Sequence, residues 1–150
     1  MKQAVFIILT LGLLLMPTLN AQPPASRPLR IMVATNTVGN PNNWNEQQKL
    51  EAYVRSRLIA SLTKHCGSLC VVVEAGVDDD EYDAILGSTW QLQNECSNCG
   101  WHMSGSAELM GKDGVVLWSD NIHSAPYSRS ASASFADRVA KKLVKHLSGE

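Results

Sequence analysis

A chain of 150 residues, 45% hydrophobic and 18% charged, holds enough apolar material for one two-layer domain and needs no second. Its 13 Lys and Arg against 14 Asp and Glu give a net charge of −1, with no basic block. That argues against nucleic acid and anionic membrane as partners, since both select clustered cations.

Residues 1–21 read as an export signal. Lys2 supplies the positive start, residues 4–16 are almost wholly apolar, and residues 17–21 form a small, polar exit with cleavage expected after Ala21. The apolar run falls short of the about 20 residues of a membrane helix, so no anchor is expected to remain. Loss of Lys2 leaves 12 basic against 14 acidic side chains. The first cysteine is Cys66, far from the cleavage point, so an N-terminal lipid attachment is not expected.

Residues 22–28 carry three prolines and read as an extended tether, with one domain from residue 29 to 150. Leu29 to Thr35 has the short apolar pattern of a buried strand and runs into the turn-rich stretch Asn36 to Asn43. Asn43 or Asn45 can cap the next helix, whose stripe is Leu50, Val54, Leu58 and Leu62; Gly67 ends it. Leu69 to Ala75 is a second buried strand, so strand, crossover helix and strand predict parallel pairing. The acidic run Asp78 to Glu81 lacks the ligand spacing of a calcium loop and reads as a solvated turn.

From Ala84 to Gln93 the period drops to two, with Leu86, Trp90 and Leu92 on one face and Thr89 and Gln91 on the other. Trp101 to Met110 and Val115 to Ile122 continue the alternation, joined by the hairpin turn Gly111-Lys112-Asp113-Gly114. A last helix is expected with Ser134 as its cap and Phe135, Val139, Leu143 and Leu147 as its buried stripe. The order β-α-β-β-β-β-α predicts an α+β two-layer sandwich: a mixed sheet of about five strands with two helices on one face.

Four cysteines carry the main chemical signal. Cys66 and Cys70 flank the turn into the second strand, and Cys96 and Cys99 lie between two long strands. If the third strand returns beside the second, both pairs meet at one end of the sheet. An even count in an exported chain predicts disulfides, with three pairings open; cross-links between the pairs close the larger loops and stabilise more. The alternatives are a zinc site of four thiolates and a redox dithiol, the latter disfavoured because Cys96 and Cys99 do not open a helix.

No nucleophile, phosphate-cradling or metal-pairing pattern surrounds His65, His102, His123 or His146. Ser104-Gly105-Ser106 beside His102 sits within a strand and lacks the sharp strand-to-helix turn of a serine nucleophile. No enzyme activity and no cofactor are expected. Trp90 and Trp118 fit a core, whereas Trp44 and Trp101 lie among polar neighbours as contact residues, at opposite ends of the expected sheet.

Asp83-Ala84-Ile85-Leu86-Gly87 and Gly114-Val115-Val116-Leu117-Trp118-Ser119, followed by the helix from Phe135 to Leu147, resemble small exported bacterial envelope proteins. More distantly they are similar to the α/β domains of the curli-secretion lipoprotein, the penicillin-binding-protein activator lipoprotein and the N-terminal domain of the Tol periplasmic protein. The resemblance implies a periplasmic, non-enzymatic domain that binds an envelope or secreted protein. The competing expectation is a small zinc-binding protein or hydrolase at the cysteine end, with His65 or His102.

Overall fold

In a computed structural model the described residues are 27–34, 37–38, 44–73, 82–93, 101–125 and 130–150, with only the backbone described for 37–38 and 44–47. The export signal, most of the tether and the acidic run 78–81 lie outside them. The elements are β1 (Leu29–Val33), β2 (Thr37–Val38), α1 (Trp44–Cys66), β3 (Cys70–Val73), β4 (Ala84–Gln93), β5 (His102–Gly111), β6 (Val116–His123) and α2 (Ala131–Ser148). One mixed sheet has the order β3-β1-β4-β5-β6, with the two-residue β2 added to β4. Both helices cover the same face, α1 over β1 and β3, α2 over β5 and β6. The α+β architecture expected from the pattern is present.

Alternation builds the two faces. Along β4, Ala84, Leu86, Ser88 and Trp90 are buried under the helices, while Thr89 and Gln91 stand exposed on the other side. Met103, Ala107 and Leu109 do the same on β5. The helices answer with Val54, Leu58 and Leu62 of α1 and Phe135, Val139 and Leu143 of α2, each wholly buried at helical spacing. Trp90 fills the centre, fully buried, and Trp118 packs at the β6 side.

Three local devices fix the connections. Gly67 takes φ +55° after α1, and Gly114 takes φ +79° in the β5–β6 turn, a backbone region where side chains are strained. In that turn the Asp113 carboxylate accepts the Val115 N–H at 3.1 Å. Gly105 has a different reason. A Cβ there would lie 2.1 Å from the Thr89 carbonyl oxygen and 2.6 Å from Trp90 Cα, so only glycine fits.

Two expectations are corrected. The last helix begins one turn earlier than Ser134. Its cap is Ser130, whose hydroxyl accepts the Ala133 N–H at 3.2 Å, and Ser134 instead accepts the Ala125 N–H. The small residues from Ala131 to Ser134 carry no large apolar side chain to announce a first turn.

The second correction concerns direction. β4 does not return beside β3; it runs parallel to β1 on the strand's other side, pairing Met32 with Ile85 and Val33 with Leu86. β1 therefore lies between two parallel neighbours, and β3 becomes an edge. Here the lower end of the sheet is where β1, β3 and β4 begin, and the upper end is where they finish.

Candidate functional site

The placement of β4 puts the described residues that flank the second cysteine pair far from Cys66 and Cys70. Cys70 opens β3 opposite Leu29 at the lower end. The segment holding Cys96 and Cys99 leaves β4 at Gln93 and returns at His102, a directly paired couple at the upper end. Cys66 and Cys70 are joined as a disulfide with their Cα atoms 4.9 Å apart. This is one of the pairings the sequence left open, within a short-spaced pair, and the joined sulfurs do not supply two thiolates to a zinc site. Cys96 and Cys99 themselves lie outside the described residues.

Beside the disulfide, a polar tie joins the two helices. His65 Nε2 lies 2.8 Å from Asp137 Oδ1, linking the last turn of α1 to α2, and Lys141 Nζ lies 2.8 Å from the other carboxylate oxygen. The Lys141 hydrogen bond, then that of His65, holds Asp137 below the usual carboxylate range despite partial burial. Below β4, Asp83 is partly desolvated, which opposes ionisation. The backbone N–H of Arg30 at 2.9 Å and the guanidiniums of Arg30 and Arg27 outweigh this and lower its pKa. Asp120 is likewise lowered by Lys142, 2.7 Å away. These carboxylates are all tied to cations, and among the described residues no group of three metal-binding side chains occurs.

The contact tryptophans are repositioned by the same topology. α1 starts at Trp44 after β2, which pairs with the upper part of β4, and ends at the lower-end disulfide. Trp101 precedes β5 at the upper end and is 58% exposed. The two positions thus share one end of the sheet instead of occupying opposite ends. The side chain of Trp44 lies outside the described residues.

The face of the sheet opposite the helices, which no described element covers, was not singled out by sequence. At its lower end the register aligns Val73, Met32, Ile85, Met110 and Val116, one residue from each of the five strands, in a continuous apolar row. Met110 and Val116 are 40% and 51% exposed. Above the row the face turns polar, with Thr89, Ser106 and Asn121 in one rank and Gln91, Ser104 and His123 in the next. A depression of about 250 Å³ lies at the border, with Gly87 between Ile85, Thr89, Ser106, Glu108 and Met110. Only the register reveals this row, because its members are spread over 85 positions of chain in no local pattern.

One buried group stands apart. The Trp90 indole Nε1 is enclosed without a hydrogen-bond partner among the described residues, and an unpaired buried donor costs about 1–3 kcal/mol.

Comparisons place this fold among known structures. The PelC dodecamer from Paraburkholderia phytofirmans is similar at 20% identity and TM-score 0.55, over 81% of this chain and 91% of that one. A PelC L103M dodecamer from the same organism gives 18% identity and TM-score 0.53, over 79% and 89%. A lipoprotein from Neisseria meningitidis gives 14% identity and TM-score 0.43, over 82% and 99%. No family model matches the chain, and no curated protein sequence does. The chain has a fold similar to that of PelC.

Proposed function

We propose that this protein is an exported, non-enzymatic interaction module of the bacterial envelope or periplasm, stabilised by disulfide bonding. The observation that carries the reading is the sheet face that no described element covers, where an apolar row crosses β3, β1, β4, β5 and β6 while the opposite face packs into the core. Contiguous apolar surface rimmed by polar side chains is the signature of a protein contact. Disulfide chemistry and the envelope-like fold support export. PelC, which has a similar fold, forms dodecamers, so another copy of the chain is the first partner to test. The finer kinship with the curli-secretion, penicillin-binding-protein activator and Tol proteins rests on the strand opening at Asp83–Gly87 and the segment Gly114–Ser119.

The test is site-specific photocrosslinking in intact cells, with the reactive group at Met110 on the open face or at Ala52, exposed on α1. A discrete crosslinked product from Met110 and none from Ala52 is expected. Products from Ala52 alone would overturn the reading.

A further inference from the structure

The interaction reading leaves open what kind of group the open face receives, and Gly87 answers that. It stands in the interior of β4, where glycine weakens a strand and marks a bulge, a bend or the close approach of another group. Nothing inside the molecule supplies such a reason. β4 and β5 pair without a bulge across it, its φ lies outside the left-handed region, and among the described residues a Cβ at this position would meet nothing within 4 Å. Gly105 is the contrast, since a Cβ there would strike the backbone of β4. The missing side chain at Gly87 thus serves the space it leaves, the depression of about 250 Å³ on the open face.

The lining of that space is two-sided. Ile85 and Met110, from the apolar row, form one side, and Thr89 and Ser106, with their hydroxyls, form the other. Between them Glu108 stands directly across from Gly87 in the register. Its carboxylate is exposed and has no cation or hydrogen-bond donor among the described residues, and its neighbour on β6 is Ser119. Asp83, Asp120 and Asp137, by contrast, are each paired with a cation of this chain. A free negative charge therefore lines a depression that is apolar on one side and offers hydroxyl acceptors on the other.

We infer that the depression receives an arginine side chain from a partner protein. This inference rests on the interaction reading and names the chemistry by which that partner is recognised. Arginine suits the lining better than lysine. Its guanidinium is weakly hydrated, its stem packs on apolar surface, and its planar fork can bond the Glu108 carboxylate through two parallel N–H groups. The remaining N–H groups find acceptors in the Thr89 and Ser106 hydroxyls. The stem lies over Gly87 against Ile85 and Met110, in space that any side chain at residue 87 would occupy. Arginine is also one of the few residue types that carry most of the binding energy at protein interfaces.

Amide NMR of the oxidised mature chain tests this with two blocked tripeptides, acetyl-Val-Arg-Val-amide and the same peptide carrying citrulline, whose urea keeps the shape of the guanidinium without its charge. The arginine peptide is expected to shift the amides of Gly87, Ser106 and Glu108 saturably. The citrulline peptide should bind at least about tenfold more weakly, as loss of a charged hydrogen bond implies. Glu108→Gln should erase that preference. Gly87→Val should abolish binding of both peptides while melting no lower than the wild type, since its Cβ enters open space and valine favours a strand. Equal binding of the two peptides, or no saturable shift up to about 20 mM, would overturn the inference. Shifts at the depression that grow with protein concentration alone would give it to another copy of the chain and overturn it as well. If it falls in any of these ways while Met110 still crosslinks in cells, the interaction reading stands; absence of any Met110 product would sink that reading itself.

Discussion

The two faces of β4 and β5 are built from alternate residues of the same strands, yet they answer to different physics. Leu109 is fully buried under the helices while Met110, its chain neighbour, is 40% exposed on the open side. On the covered face, packing density fixes both volume and chemistry, and a change is felt at once. On the open face nothing in the core dictates the residue, so its apolar row is free to serve an encounter with another molecule. Stability and binding are thus separable here by parity along a strand, which makes the comparison open to direct attack.

The largest effects belong to the covered face. Trp90→Ala should cost about 3–5 kcal/mol, read as a shift of the urea midpoint, because the largest wholly buried side chain leaves a cavity no neighbour can fill. Trp90→Phe should cost much less than that, since it also removes the unpartnered indole donor. Gly105→Ala tests the same region through the backbone. The new methyl meets the Thr89 carbonyl and Trp90 Cα, so β4 and β5 must part, and hydrogen exchange should speed up across that pair while the β1–β3 pair stays protected.

Next in size is the Cys66–Cys70 bond. Closing so short a loop restricts the unfolded chain by about 2 kcal/mol, and Cys66→Ser with Cys70→Ser should lose about that much in a thermal melt. A loss of more than twice this would show that the bond does more than constrain the unfolded chain.

Smaller still is the tie between the helices. Asp137 has a lowered pKa in the folded protein, so its contribution is present above the ordinary carboxylate value near about 4 and is lost as pH falls through the folded value. Asp137→Asn should therefore reduce stability at neutral pH by under about 1 kcal/mol, the carboxylate being one-third exposed, and the difference from wild type should shrink in acid. A gap that is constant from neutral pH into strong acid would remove the ion pairs from the account.

The same parity explains what the sequence could and could not disclose. Alternation at Leu86, Trp90 and Leu109 marks which side chains share a face, and the four-residue spacing from Val54 to Leu62 marks the buried side of α1. Those are local periodicities, so the strands, the helices and the layer count were legible. Strand order is not local. Nothing in Ala84 to Gln93 says whether it pairs with β3 or crosses to the far side of β1, and that choice moved the Gln93–His102 end away from Cys70 and brought Trp44 and Trp101 to one end of the sheet. The apolar row depends on the register of five strands, and His65 meets Asp137 across 72 residues, so neither had a sequence signal. The cap at Ser130 was not legible because the Ala-Ser repeat places equivalent serines at 130, 132 and 134.

The most direct measurement pairs the neighbours Leu109→Asp and Met110→Asp and follows thermal unfolding and native mass side by side. The account predicts that Leu109→Asp abolishes cooperative folding, because it buries an unpaired carboxylate, while Met110→Asp melts within a few degrees of wild type and loses association. If Met110→Asp destabilised the fold as severely as Leu109→Asp, or left association untouched, the division of labour between the two faces would be contradicted.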